Sequence, residues 1–412
     1  MLFRVIGYTG TAGVIRLFVG LVSQKAIAVF VGASGLALIA NLRNLLEVLG
    51  SFSSVGARNG IISEVAGAKD TSSLRLLFNS LLTLFIGASI IVMLMLFWQQ
   101  EWIALQLFFG KPSGSLVLAV LFSVPFIGLM VLVESVLTGK KAFKAVSNIQ
   151  IITAVFTAVS MVVLLYFYDL KGGLIAILLR PFFGALLYVF YFKSTSYKSL
   201  LPDRLAFDLS KIKTLVPYMA MTLISVGCVH AIEVGLRTLI STRIDLESAG
   251  LWTAMNGISA NYFIFITAVF SMYVLPRYSE HNTSFQLLKE SKEILKTLLP
   301  IVTIGLILVY LFRNPIIKLL YTSDFMSITS LFKWQLTADW FRVIFLVFAY
   351  YLVAKKRLVD FFIIEVFSFA TLIFCSFLLI DTYGIEGVMI ANAVRYVGCL
   401  ILVVFLLRNK LR

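Results

Sequence analysis

"ANLRNLLEVLGSFSSVGARNG", residues 40–60, is the stretch on which the reading of the whole chain turns. It lies in a run apolar enough to cross a bilayer, yet it carries Arg43, Glu47 and Arg58, with Ser51 and Ser54 between them. On one continuous helix at about 100° per residue, these five positions fall within roughly 80° of one another and extend roughly 22 Å along the axis. Lipid offers no partner for such a stripe. The pattern predicts a membrane helix with one face on a wet interior.

Composition supports the membrane setting. Of 412 residues, 60% are hydrophobic and only 13% charged, and the mean hydropathy is +0.99. Soluble domains carry about 25% charged residues, so a polytopic membrane protein is expected. The first apolar span reads as too long and too polar for a cleavable leader. Cys228, Cys375 and Cys399 all sit in apolar spans and read as small core residues rather than a disulfide framework. His230 and His281 are the two histidines, and no metal-ligand spacing is present. His230 stands one turn before Glu233 and could join its network. The Trp98, Trp102 and Phe side chains read as interface belt and lipid-facing packing. Pro125, Pro181, Pro217, Pro276 and Pro300 are candidate kinks.

Twelve spans are expected: 5–31, 36–64, 74–99, 114–139, 145–168, 173–194, 212–240, 249–278, 288–312, 328–354, 359–381 and 385–408. Outside them or near their ends, 21 Lys and Arg fall on the side of the termini and 5 on the other, which puts both termini in the cytoplasm. This bias also accounts for the pI near 9.7 without a nucleic-acid partner. The basic, proline-containing stretch at 196–211 divides the chain into lobes 1–195 and 212–412.

A shift of 215 residues aligns the halves without gaps. Gly20 meets Gly235, Gly35-Leu36 meets Gly250-Leu251, Asn41 meets Asn256 and Lys140-Lys141 meets Lys355-Lys356. Tyr168, Gly172 and Arg180 meet Tyr383, Gly387 and Arg395. Six spans per unit is an even number, so both halves insert in the same sense. The expected architecture is all-α, two six-helix lobes related by a parallel repeat, with substrate bound between them.

Nine basic residues remain inside spans: Arg16, Lys25, Arg43, Arg58, Arg180, Arg237, Lys333, Arg342 and Arg395. Five acids lie well inside spans with them: Glu47, Glu134, Glu233, Asp339 and Glu365. Each costs roughly 2.5–3.5 kcal/mol at a bilayer centre unless it faces a cavity or a partner. Arg43/Glu47 and Glu233/Arg237 are spaced for i, i+4 pairs and Asp339/Arg342 for an i, i+3 pair. Lys25 and Lys333 lie near helix ends and can snorkel. The excess of bases remains, and an uncompensated cationic cavity suits an anion. Arginine presents a planar fork to phosphate oxygens at any working pH. Arg16, Arg43, Arg342, Arg395 and Arg180 are the candidate ligands for a phosphorylated substrate. Asn41, Asn256, Glu47, Arg58, Glu134, Glu233, Arg237, Asp339 and Glu365 are candidate polar lining or coupling groups.

The stretches "GASGLALIANLRNLLEVLG", "SVGARNGIISEVA", "ESAGLW", "FITAVFSMYVLPRYS" and "FKWQLTADWFRVIFLVFAYYLVAKKRLVDFFIIEVFS" together resemble the Wzx flippases. These form the polysaccharide branch of the multidrug/oligosaccharidyl-lipid/polysaccharide exporter superfamily. The resemblance runs nearly end to end, although no short motif defines the family. It implies a V-shaped pair of lobes around a cationic cavity in the bacterial inner membrane. It also implies a transporter rather than an enzyme, moving an undecaprenyl-diphosphate-linked oligosaccharide to the periplasmic leaflet. Arg43 matches the family's second-helix arginine, and Asp339, Arg342 and Glu365 match polar positions of its tenth and eleventh helices. Family members that carry lipid III have an aspartate where this chain has Ala260. That departure favours an O-antigen repeat unit over lipid III. No cofactor is expected, and coupling to H⁺, Na⁺ or the membrane potential stays open. Membrane lipids are expected partners, a polymerase and a chain-length regulator are candidates, and a monomer is expected. A multidrug exporter would carry an acidic cavity for its mostly cationic substrates. An O-antigen polymerase would carry a large outer loop with catalytic Arg or His. The sequence has neither feature.

Overall fold

The computed structural model describes residues 2–67, 71–101, 114–200, 207–270, 274, 277–278, 284–355 and 357–408. Trp102, Pro276, His281, Lys356 and part of the 196–211 stretch lie outside the described residues. Every regular element described is helical. The helices are α1 (Leu2–Ser53), α2 (Arg58–Gly67), α3 (Thr71–Trp98), α4 (Gly114–Gly139), α5 (Phe143–Ser194) and α6 (Leu209–Lys213). They continue with α7 (Val216–Arg243), α8 (Leu246–Val269), α9 (Ser284–Leu311), α10 (Arg313–Leu320), α11 (Phe332–Ala354) and α12 (Leu358–Arg408). Short 3₁₀ turns occupy Ser196–Leu200 and Ser323–Leu331. Among the described residues, seven helices are long and apolar enough to cross a membrane, so the expected twelve spans are not separate elements here.

The difference has a structural cause. α1, α5 and α12 hold 52, 52 and 51 residues, more than twice the roughly 20 that a bilayer needs. Each is interrupted by one residue with positive φ: Gly32 (φ 64°), Asp169 (φ 47°) and Gly384 (φ 56°). These three positions fall in the gaps between expected spans. At two of them the chain reverses direction. A Cβ on Gly172 would collide with the Leu164 carbonyl oxygen, and one on Gly387 with the Leu379 carbonyl oxygen. Residues eight apart on a straight helix are about 12 Å apart along the axis, so these contacts require hairpins.

The chain divides into two compact units, one of residues 1–31 and 38–234, the other of 32–37 and 235–412. Within each, the same local geometry recurs 215 residues on. Asp169 and Gly384 are equivalent, as are the Gly172–Leu164 and Gly387–Leu379 contacts. The turn after α4 has Lys140 N donating to Val136 O, Ala142 N to Leu137 O and Val146 N to Ala142 O. The turn after α11 has Lys355 N to Tyr351 O, Arg357 N to Leu352 O and Phe361 N to Arg357 O, the same three bonds shifted by 215. The offset read from side-chain identities is also an offset of backbone hydrogen bonds.

One expectation fails in the opening stretch. The helix does not run through residue 58. Val55 N donates to Phe52 O and Gly56 N to Ser51 O, a Schellman arrangement that stops α1 at Ser53. Val55 and Gly56 both have positive φ, 51° and 63°. Gly56 has a second constraint, because a Cβ there would stand 2.7 Å from the Met219 carbonyl oxygen. Arg58 therefore begins a new helix and leaves the stripe of Arg43, Glu47 and Ser51.

Candidate functional site

In the first unit the polar centre is Glu134 on α4. It is 7% exposed and lies among Leu132, Val133 and Val136 in an apolar core. Burial of a carboxylate at that depth demands partners. Arg58, on α2, pairs with its Oε1, Gln150 donates to the same oxygen at 3.1 Å, and Tyr188 donates to Oε2 at 3.1 Å. Both Arg58 and Arg16 lie within electrostatic range of the Tyr188 hydroxyl. Arg58 keeps 54% of its side chain exposed, so one end of the guanidinium is anchored and the other is open. Arg16 is exposed on α1 and donates through Nε to Ala12 O, 3.2 Å away on the preceding turn.

Elsewhere in this unit, Asn41 is fully buried, Arg43 half-buried and Glu47 exposed. The expected Arg43/Glu47 pair does not form, because Glu47 faces out and has no ion-pair or hydrogen-bond partner among the described residues. Glu233 accepts from Asn44 Nδ2 at 2.7 Å, a contact across 189 residues that helical spacing cannot reveal. His230 is half-buried, and its Nδ1 has no hydrogen-bond partner among the described residues. Arg180 is exposed on α5.

In the second unit Asp339 is fully buried on α11. It accepts from Ser259 Oγ at 2.7 Å, from the Tyr262 hydroxyl, and from Gln335 Nε2 at 3.1 and 3.2 Å. These donors occupy the carboxylate. The expected Asp339/Arg342 ion pair is accordingly not made as a direct contact: no nitrogen of Arg342 comes within 4.0 Å of an Asp339 oxygen. Arg342 turns instead to aromatic faces, its guanidinium carbon 4.0 Å from the Phe263 ring centroid and 5.8 Å from that of Tyr396. Arg395 stands 4.7 Å from the same Tyr396 centroid and donates through Nε to Ser368 Oγ at 2.6 Å. Glu365 is half-buried within electrostatic range of Arg395. Arg237 donates through Nε to Thr253 Oγ1 at 3.0 Å and lies over Trp252 at 5.6 Å. Asn256 is half-buried on α8. Lys333, expected to snorkel, meets Glu386 Oε2 at 3.2 Å.

Two of the expected anion ligands, Arg342 and Arg395, are thus brought to one tyrosine ring. Tyr396 was not among the candidate residues, nor were Phe263, Ser368, Tyr188 and Gln150. The repeat held a signal for some of them. Gln150 is the equivalent of Glu365, and Arg180-Pro181 is the equivalent of Arg395-Tyr396. Where the second half places a ring beside its arginine, the first half has a proline, and Arg180 stays exposed. Arg16, Arg180, Arg342 and Arg395 have no carboxylate oxygen within 4.0 Å among the described residues.

Fixed guanidiniums that no carboxylate oxygen contacts directly can receive phosphate or a carboxylate. The lipid III flippase of Escherichia coli (strain K12) is 27% identical over 391 residues, 95% of this chain and 94% of that one. Its counterpart in Shigella flexneri matches to the same extent. Among solved structures, the lipid II flippase MurJ in an inward closed conformation superposes with a TM-score of 0.73 at 16% identity, covering 98% of this chain and 87% of that one. An inward-facing multidrug resistance MATE family transporter of the MOP superfamily gives 0.78 at 14% identity, covering 96% and 94%. The fold is that of the MOP transporters, and the chain is a multi-pass membrane protein. A family model for polysaccharide biosynthesis proteins matches residues 15–330, and this chain belongs to that family.

Proposed function

We propose that the chain is a flippase of the bacterial inner membrane that carries an undecaprenyl-diphosphate-linked oligosaccharide from the cytoplasmic to the periplasmic leaflet by alternating access. The observation that carries this reading is the set of intramembrane guanidiniums without carboxylate partners, above all Arg342 and Arg395 on Tyr396. Such groups are costly in lipid and suit a diphosphate. Arg16 and the open end of Arg58 offer the same chemistry in the first unit. The reading takes the two hairpins and the kink at Gly32 as pairs of crossings and counts α8 and α11 as crossings too, which gives twelve spans with both termini cytoplasmic.

Ala260 favours an O-antigen repeat unit as cargo, while the relatives named lipid III flippase favour lipid III. The lipid III reading fits equally well. A drug exporter is disfavoured by the positive balance of the intramembrane charges. The test is deletion of the gene, followed by enzymatic labelling of the lipid-linked oligosaccharide in sealed spheroplasts and inside-out vesicles. Accumulation on the cytoplasmic face, relieved by the native gene and not by a double Arg342→Ala, Arg395→Ala variant at equal protein level, is the expected result. Unpolymerised units displayed outside would point to a polymerase instead.

A further inference from the structure

The second unit contains a cavity of about 190 Å³ beside the reversal of α12. Its polar lining is Ser327, Ser330, Tyr383 and Glu386, and Leu251 and Ile328 supply apolar wall. We infer that this cavity binds one neutral, hydroxyl-rich ring, a sugar residue of the cargo; the identification of the cargo as a glycan rests on the function proposed above.

Size, charge and repeat asymmetry each favour that guest. Drug-sized sites occupy roughly 300–1,000 Å³, so this one has room for a single ring. Glu386 lines the cavity with 33% of its side chain exposed, and its charge is balanced by Lys333 at 3.2 Å. Trp334 Nε1 donates to the same oxygen at 3.2 Å, and the Lys333 ammonium lies 5.5 Å from the Trp334 ring centroid. A carboxylate offers about four lone-pair positions, and Ser330 also donates to Glu386, so about one acceptor position remains after these three contacts. The balanced charge disfavours a cationic guest such as an amine headgroup. It leaves a fixed acceptor, the Ser327 hydroxyl, the lone pairs of the Ser330 hydroxyl and the ring of Tyr383, which is 56% exposed. Hydroxyls for the polar groups and a ring face for the aromatic are what a pyranose presents.

The repeat separates this site from a demand of the fold. The reversal at Gly384 has its equivalent at Asp169, and Tyr383 has its equivalent in Tyr168. Glu386, by contrast, corresponds to Lys171. The same hairpin forms with the opposite charge at that position, so the backbone does not require the glutamate.

The full-length protein, purified into lipid nanodiscs, can be titrated with N-acetylglucosamine, glucose, galactose, mannose and rhamnose while tryptophan fluorescence is followed. Trp334→Phe identifies the reporting indole. At least one sugar should give a saturable change in the millimolar range, weakened ten-fold or more in Glu386→Gln and Tyr383→Ala. Ser330→Leu, which fills the cavity, should abolish the change. Equal melting temperatures would show that the variants are folded, and Ser327→Leu is a second filling variant if one is not. No saturable change with any sugar, an undiminished response in folded variants, or the same response to ethanolamine would overturn the inference. Loss of surface glycan on gene deletion with no sugar response would sink this site and leave the flippase reading standing. Intact glycan on deletion would sink the flippase reading independently of any sugar response.

Discussion

Arg342 and Arg395 share one aromatic neighbour, and two cations so placed repel each other. The Tyr396 ring offsets part of that repulsion, since a guanidinium over an aromatic face gains roughly 0.5–2 kcal/mol depending on desolvation. An arriving dianion would offset much more. Removal of the ring therefore frees both arginines without removing any charge. Tyr396→Leu should lower glycan display several-fold at unchanged protein level, and Tyr396→Phe should keep most of it, because the quadrupole survives loss of the hydroxyl. Equal loss in both variants would assign the role to the hydroxyl instead. At this scale the sequence revealed which charges were costly and not what held them. Arginine within an apolar run is visible by composition, whereas Asp339 is satisfied by Ser259 and Tyr262, about eighty positions away, and Glu134 by Tyr188, 54 positions away. Nothing in an i, i+3 or i, i+4 pattern encodes such partners.

At the scale of elements, helix reversal makes sharper demands. Gly172 and Gly387 each lie where an added Cβ would strike a backbone oxygen, which cannot move aside as a side chain can. Gly172→Ala or Gly387→Ala should cost at least the roughly 1–3 kcal/mol typical of overpacking. Gly87→Ala, where an added Cβ would meet nothing within 4 Å, should be neutral or slightly stabilising. Thermal unfolding in detergent checks both. The repeat also supplies a prediction of opposite sign. Asp169 and Gly384 adopt nearly the same conformation (φ 47°, ψ −133° and φ 56°, ψ −138°), a region that favours glycine. Asp169→Gly should raise the melting temperature, with a gain of about 1 kcal/mol after the added chain entropy of glycine, and Gly384→Asp should lower it. These reversals were legible as gaps between apolar runs. The stop at Ser53 was not, because "SFSSVG" has no proline and fits a helical stripe until Val55 takes positive φ. Its one clue was Gly56.

At the scale of the whole molecule, the proposed cycle moves charge. A diphosphate carries negative charge outward, in the direction an inside-negative potential drives it, gaining about 2.3 kcal/mol per elementary charge for each 100 mV. The guanidiniums travel with the conformational change in both directions, so over a complete cycle their own displacement cancels. The net charge moved is that of the cargo plus any coupled ion. If none accompanies it, collapse of the potential with valinomycin and matched potassium should slow flipping in sealed vesicles, while a pH gradient imposed at zero potential should have little effect. If H⁺ enters in numbers matching the exported charge, the gradients change roles: inward H⁺ and outward anion both carry the same sign of current, so potential and pH gradient should then drive flipping additively. Insensitivity to both would mean that neither the cargo's charge nor a proton limits the cycle, and that chemical consumption of the glycan on the far side drives it.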